Sequence, residues 1–111
     1  MMTIDALKQL GANTEEGLGR CMNNEAFYLR LAGMALQDDK YGKLREAVEA
    51  GDLTAGFEYA HALKGMLANV ALTNLLDPIA EMTEALRARE QRDYSGLLDK
   101  MDEELAKLKA L

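Results

Sequence analysis

The sequence predicts an all-α fold, an antiparallel up-and-down four-helix bundle with one or two short helices capping its N-terminal end. Composition is the first reason: 49 % of the 111 residues are hydrophobic, 29 % are charged, and proline occurs once. Ala, Leu, Glu, Lys and Met dominate, and all of them favour helices. The second reason is that apolar residues recur at spacings of three and four along several segments separated by short polar corners.

Two short helices are predicted first, over residues 3–10 and 14–19. Thr3 can cap the first of them, and either Asn13 or Thr14 opens the second, because these side chains accept hydrogen bonds from a helix N-terminus. The next helix starts at Asn23 or Asn24 and runs to about residue 37. Its apolar side chains share one face, namely Phe27, Leu31, Met34 and Ala35.

The stretch "EAGDLTAGF" predicts a tight corner between two antiparallel helices. Asp38 and Asp39 end the preceding helix and cap a helix over residues 40–50. Gly51 ends that helix, and Asp52 caps the following one. That helix runs from Leu53 to about Val70. Its apolar stripe steps by four and three residues through Gly56, Ala60, Leu63, Leu67 and Val70.

Two further helices complete the predicted bundle. One starts at Thr73 or Asn74 and ends near Arg89. Its single proline, Pro78, lies either in the first turn or at a kink, because it lacks the N–H that a later position needs. Asp93 is expected to cap the last helix, which reaches nearly to the C-terminus.

Bulk properties restrict the function. The net charge of −6 argues against nonspecific binding to nucleic acid or anionic membranes. No segment approaches the ~20 apolar residues of a membrane-spanning helix, and the N-terminus lacks a signal-peptide core. Cys21 is the single cysteine and has no companion for a disulfide or a metal site. We therefore expect one domain over residues 1–111, monomeric and cytoplasmic, with no bound metal.

His61 is the only histidine, and it lies about a hundred degrees from the apolar stripe of its helix. We expect the imidazole at the surface or rim of the bundle. The side chains on its face lie three, four or seven residues away: Phe57, Glu58, Lys64, Gly65 and Ala68.

This arrangement suits a phosphoryl-accepting nucleophile. Neutral imidazole, with an ordinary pKa of about 6.5, is nucleophilic near neutral pH. Lys64 can stabilise charge on the phosphoryl oxygens, Glu58 can orient the ring, and Gly65 clears space for a docking partner. Ordinary explanations stay open for each: a plain rim histidine, a solvated lysine, a helix-packing glycine, and for Phe57 a core position rather than a docking patch.

The sequence lacks a phosphate-binding GxxxxGK[ST] loop, an HExxH motif, paired Cys/His ligands and a GxSxG elbow. A histidine without a nucleotide site cannot phosphorylate itself from ATP. The phosphoryl group must therefore come from another protein. A metal-binding or haem-binding bundle would need a second ligand.

The runs "AHALKG" and "MLANVALTNL" resemble the histidine phosphotransfer (HPt) domains of bacterial phosphorelays, and "LREAVEAGDL" resembles the lead-in helix of that family. His61, Lys64 and Gly65 match its His-x-x-Lys-Gly motif on the second bundle helix. Its small and apolar positions are matched by Ala68, Val70, Leu72 and Leu75. One position departs from the pattern, since Ala71 stands where the family usually has a second glycine.

The resemblance implies a carrier and not an enzyme. His61 would accept a phosphoryl group from the aspartyl phosphate of a receiver domain, in a response regulator or a hybrid sensor kinase, and pass it to another receiver. Mg²⁺ would belong to the receiver, so no cofactor is expected here. Docking would involve Phe57, Glu58, Gly65 and Ala68. The alternative is an HPt-like helical interaction module that binds receivers without carrying phosphate.

Overall fold

The computed structural model describes residues 1–111 and contains seven α-helices and no strand. The helices are α1 (Ile4–Gln9), α2 (Thr14–Arg20), α3 (Glu25–Leu36), α4 (Lys40–Glu49), α5 (Leu53–Asn69), α6 (Thr73–Arg87) and α7 (Ser95–Lys109). The all-α prediction is confirmed, and every predicted helix is present.

Most helices begin where a polar side chain satisfies the free N–H groups of the first turn. In four of them the capping oxygen accepts the N–H three residues on, and these caps are Thr3, Asn13, Asn24 and Asp52. Asp39 precedes α4 without such a bond. Its neighbour Asp38 accepts the Lys40 N–H at 2.8 Å instead.

Helix α5 is the centre of the bundle. It packs against α4 on one side and α6 on the other, and α6 packs in turn against α7. Three-residue connections join α4 to α5 and α5 to α6. Connections this short make the joined helices antiparallel neighbours. The predicted stripe of α5 is buried: Ala60, Leu63 and Leu67 are completely inaccessible, and they belong to one continuous apolar core.

The N-terminal helices are attached to the end of α5. The Tyr28 hydroxyl on α3 donates a hydrogen bond to the Val70 carbonyl at 2.9 Å, and the Asn13 N–H donates to the Ala71 carbonyl at 2.9 Å. The two short helices α1 and α2 and the longer α3 precede α4, as predicted, and α3 also contacts α7.

Helix α5 ends in a Schellman motif, in which Ala71 adopts the left-handed region with φ of +53°. The Leu72 N–H donates to the Leu67 carbonyl and the Ala71 N–H to the Ala68 carbonyl, both at 3.2 Å. This conformation favours glycine, which has no Cβ to clash. Ala71 thus keeps the backbone turn that a glycine would make there.

Two details of the last two helices, the place of Pro78 and the cap at Asp93, differ from the prediction. Pro78 is the sixth residue of α6, so of the two alternatives left open for it the first turn is wrong. The helix continues past it to Arg87 and stops there, because Arg89 has a left-handed φ of +54°. Helix α7 begins at Ser95, whose N–H donates to the Asp93 carboxylate at 2.9 Å, so Asp93 acts two residues before the helix.

Candidate functional site

The imidazole of His61 is exposed on the outer face of α5. Its neighbour Ala60 and the next stripe residue, Leu63, are both fully buried. The helix therefore turns its apolar residues inward and leaves the ring in solvent. The prediction that His61 lies outside the core is confirmed.

Phe57 is the aromatic neighbour of His61. The two rings are stacked, with centroids 5.4 Å apart and planes 22° from parallel. Phe57 is half-buried and packs against the apolar core, and its part in docking stays a prediction. Glu58 is exposed on the same face and forms no hydrogen bond with the imidazole. The contact that the structure shows for the ring is its stacking on Phe57.

Lys64 lies one turn after His61, and its ammonium group is paired. Its Nζ is 3.6 Å from Oε2 of Glu84 on α6, and the two side chains are 39 % and 61 % exposed. The other carboxylate oxygen of Glu84, Oε1, lies 3.5 Å from Nε of Arg87. A single carboxylate thus contacts two cations.

Gly65 has no packing role within the chain. A Cβ added to it would meet no atom within 4 Å, whereas a Cβ on Gly56 of the same helix would lie 3.1 Å from Val48 Cγ2. Gly56 allows α4 to approach, and Gly65 faces open space beside the imidazole. The helix-packing explanation for Gly65 is therefore wrong. Ala68, one turn further, is half-buried.

Two arginines near the site were not found from the sequence. The guanidinium carbons of Arg87 and Arg89 lie 4.9 and 5.4 Å from the centroid of the Phe57 ring, within range of a cation–π interaction. Arg89 also donates from Nη1 to the Leu86 carbonyl at 2.6 Å. An antiparallel α5–α6 pair puts the end of α6 beside the start of α5. The rotation of α6 about its axis decides where these side chains point, and the sequence does not determine that rotation.

The structure thus places one cation a turn after the exposed histidine and two over the Phe57 ring stacked on it, although the chain as a whole carries a net charge of −6. The cations are Lys64, Arg87 and Arg89. No three His, Cys, Asp or Glu side chains converge as a metal-binding group, and none of the helices combines the length and apolarity needed to cross a membrane. Such a site suits an anionic group carried on the imidazole.

The family model described as the Hpt domain matches residues 30–111 of the chain, which include all of α4 to α7. The chain therefore belongs to the Hpt domain family, whose members carry phosphoryl groups on a histidine in two-component phosphorelays. Members of the family act as phosphotransfer carriers and not as kinases. No curated protein and no solved structure matches the chain.

Proposed function

We propose that this protein is a phosphorelay intermediate that moves a phosphoryl group between two receiver domains through His61. The main support is the pairing of an exposed imidazole with open space at Gly65. A receiver must bring its aspartyl phosphate in line with the ring nitrogen. A side chain at position 65 would stand in that approach.

In the proposed reaction, the unprotonated ring nitrogen of His61 attacks the phosphorus of the aspartyl phosphate. An N–P bond forms, the P–O bond to the aspartate breaks, and its electron pair leaves with the carboxylate. The proton on the second ring nitrogen can pass to solvent, because the ring is exposed. Onward transfer to a second receiver is the reverse reaction.

The roles of the neighbouring residues follow from their placement. Lys64 supplies positive charge to the phosphoryl oxygens. Phe57 holds the ring by stacking, and Glu58, Gly65 and Ala68 belong to the surface that meets the receiver. Mg²⁺ and the acidic residues that bind it are assigned to the receiver. We propose that the carrier acts in the cytoplasm as a monomer, without a cofactor and without autonomous kinase activity.

The test is to mix the protein with a receiver domain bearing a radiolabelled aspartyl phosphate. The expected result is an acid-labile, alkali-stable label on the wild-type chain and none on His61→Gln. Circular dichroism of the variant controls for folding. Receiver binding without transfer of label to the wild type would contradict the proposal and support the interaction-module alternative.

A further inference from the structure

The acidic residue Glu84 occupies a position that the proposed transfer does not use. It lies on α6, and its two carboxylate oxygens contact two different cations, Oε2 with Lys64 at 3.6 Å and Oε1 with Arg87 at 3.5 Å. Lys64 lies one turn after His61 along α5. Arg87 lies over Phe57, which is one turn before His61 and stacks on its ring.

The two helices are antiparallel, and both contacts cross the seam between α5 and α6. Phe57 of α5 faces Arg87 of α6, Lys64 faces Glu84, and His61 lies between the two contacts. Glu84 therefore bridges Lys64, one turn after His61, and Arg87, which lies over the Phe57 ring stacked on the imidazole. In the unphosphorylated protein, Lys64 and Arg87 are both paired with the Glu84 carboxylate.

Both ion pairs are loose and solvated. Their N–O distances exceed those of close charge-assisted hydrogen bonds, and the side chains of Lys64, Glu84 and Arg87 are 39 %, 61 % and 52 % exposed. Exposed ion pairs of this kind contribute little to stability, and each cation can readily change its partner. A phosphoryl group carries about two negative charges and three acceptor oxygens, against the single charge of a carboxylate.

We propose that Glu84 is a counter-charge residue that holds Lys64 and Arg87 until His61 is phosphorylated, and that competes with the phosphoryl group for them afterwards. This inference rests on the proposed function of His61. Glu84 acts through the two cations and is a positioning residue. By competing for them it makes phosphohistidine less stable than those cations alone would, which favours onward transfer.

The competition is measurable without a receiver. N-phosphoimidazole can serve as the donor: its N–P bond breaks, an N–P bond to His61 forms, and imidazole is released. Because the leaving group has the same ring as the acceptor, the equilibrium constant reports the surroundings of His61. It can be read by ³¹P NMR in wild type and Glu84→Gln.

The expected result is that Glu84→Gln raises this equilibrium constant about three- to fivefold at low ionic strength, and that the gain disappears near 1 M salt. The gain should also be absent when Lys64→Met and Arg87→Met are already in place. Glu81→Gln is the matched control, because Glu81 is an exposed acid one turn earlier on α6 that pairs with Arg92 at 3.9 Å.

Equal constants in wild type and Glu84→Gln, with His61 labelled in both, would overturn the role of Glu84 and leave the carrier function standing. An equal rise in Glu81→Gln would also overturn it, because the effect would then be one of net charge. If the wild-type chain takes no phosphoryl group at His61 from either N-phosphoimidazole or a phosphorylated receiver, both the carrier function and the role of Glu84 fail.

Discussion

At the scale of single residues, the spacing of the His61 motif was enough to predict which side chains share its face, because a helix fixes its own neighbours. The exposed ring and the open space at Gly65 follow from that local geometry. Glu84 and Arg87 could not be found in this way, since their role depends on the rotation of a second helix. Periodicity within one helix carries no such information.

Gly65→Gln should slow phosphotransfer roughly tenfold or more, because the new side chain occupies the space through which the receiver approaches. Stability should rise by about 0.5–1 kcal/mol, since glycine is a poor helix former. Transfer rates and thermal unfolding test both effects. Gly42→Gln is the control: it is also an exposed helical glycine with open space around it, so it should gain stability and leave transfer unchanged. Unchanged transfer in Gly65→Gln would refute the clearance argument.

Lys64→Ala should reduce the transfer rate severalfold and not abolish it, because Arg87 remains over the Phe57 ring stacked on the imidazole and still supplies positive charge to this face. Rapid-quench measurement with a labelled receiver checks this. If the rate does not change, Lys64 is a solvated helix lysine whose pairing with Glu84 has no part in transfer.

At the scale of helices, starts were predicted better than ends. A cap acts over three residues and is visible in the sequence, as at Thr3, Asn24 and Asp52. The end of α6 was predicted only approximately, near Arg89, because that residue adopts a left-handed conformation that sequence patterns assign to glycine. Pro78 was unresolved because the continuity of α6 is decided by packing, and Pro78 is buried.

Ala71→Val should destabilise the protein by about 2 kcal/mol, since a β-branched side chain is strained at positive φ and Ala71 is buried. Ala71→Gly is the comparison and should lie within about 1 kcal/mol of wild type, because the relief of strain offsets the lost methyl contact. Urea unfolding measures both. Equal stabilities of the Val and Gly variants would contradict a left-handed residue at this helix end.

At the scale of the whole molecule, the bundle and its core were predictable because the apolar pattern recurs in every long helix. The contacts that join the N-terminal helices to the bundle were not. Tyr28 packs so closely on Gly17 that a Cβ there would overlap its ring. The sequence around Gly17, in a short polar helix, does not indicate that Tyr28 packs on it.

Gly17→Ala should therefore cost about 1–3 kcal/mol of stability, because the ring of Tyr28 is fully buried and has no room to move. Gly19→Ala in the same helix meets nothing within 4 Å and should not destabilise. Differential scanning calorimetry distinguishes them. Similar melting temperatures for the two variants would count against the Gly17–Tyr28 contact.

Stability should also fall in alkali. Burial raises the pKa of Tyr41, with a smaller effect from Asp38, and burial raises the pKa of Tyr28. Because the unfolded phenols ionise first, near pH 10, this stabilisation is complete below that pH and is lost as the pH rises towards the folded values. Unfolding free energies between pH 9 and 11.5 should decline less steeply in a Tyr28→Phe/Tyr41→Phe variant than in wild type. Parallel slopes would show that other groups cause the decline.

The hydrogen bonds from Tyr28 and Asn13 to the end of α5 come from residues that precede the matched range of 30–111. A protein trimmed to that range would keep His61 and every member of its motif. It would nevertheless leave two carbonyls at the turn into α6 without their donors and uncover buried surface beneath them. The range that matches the family model is therefore shorter than the range whose hydrogen bonds hold the C-terminal end of the helix that carries His61.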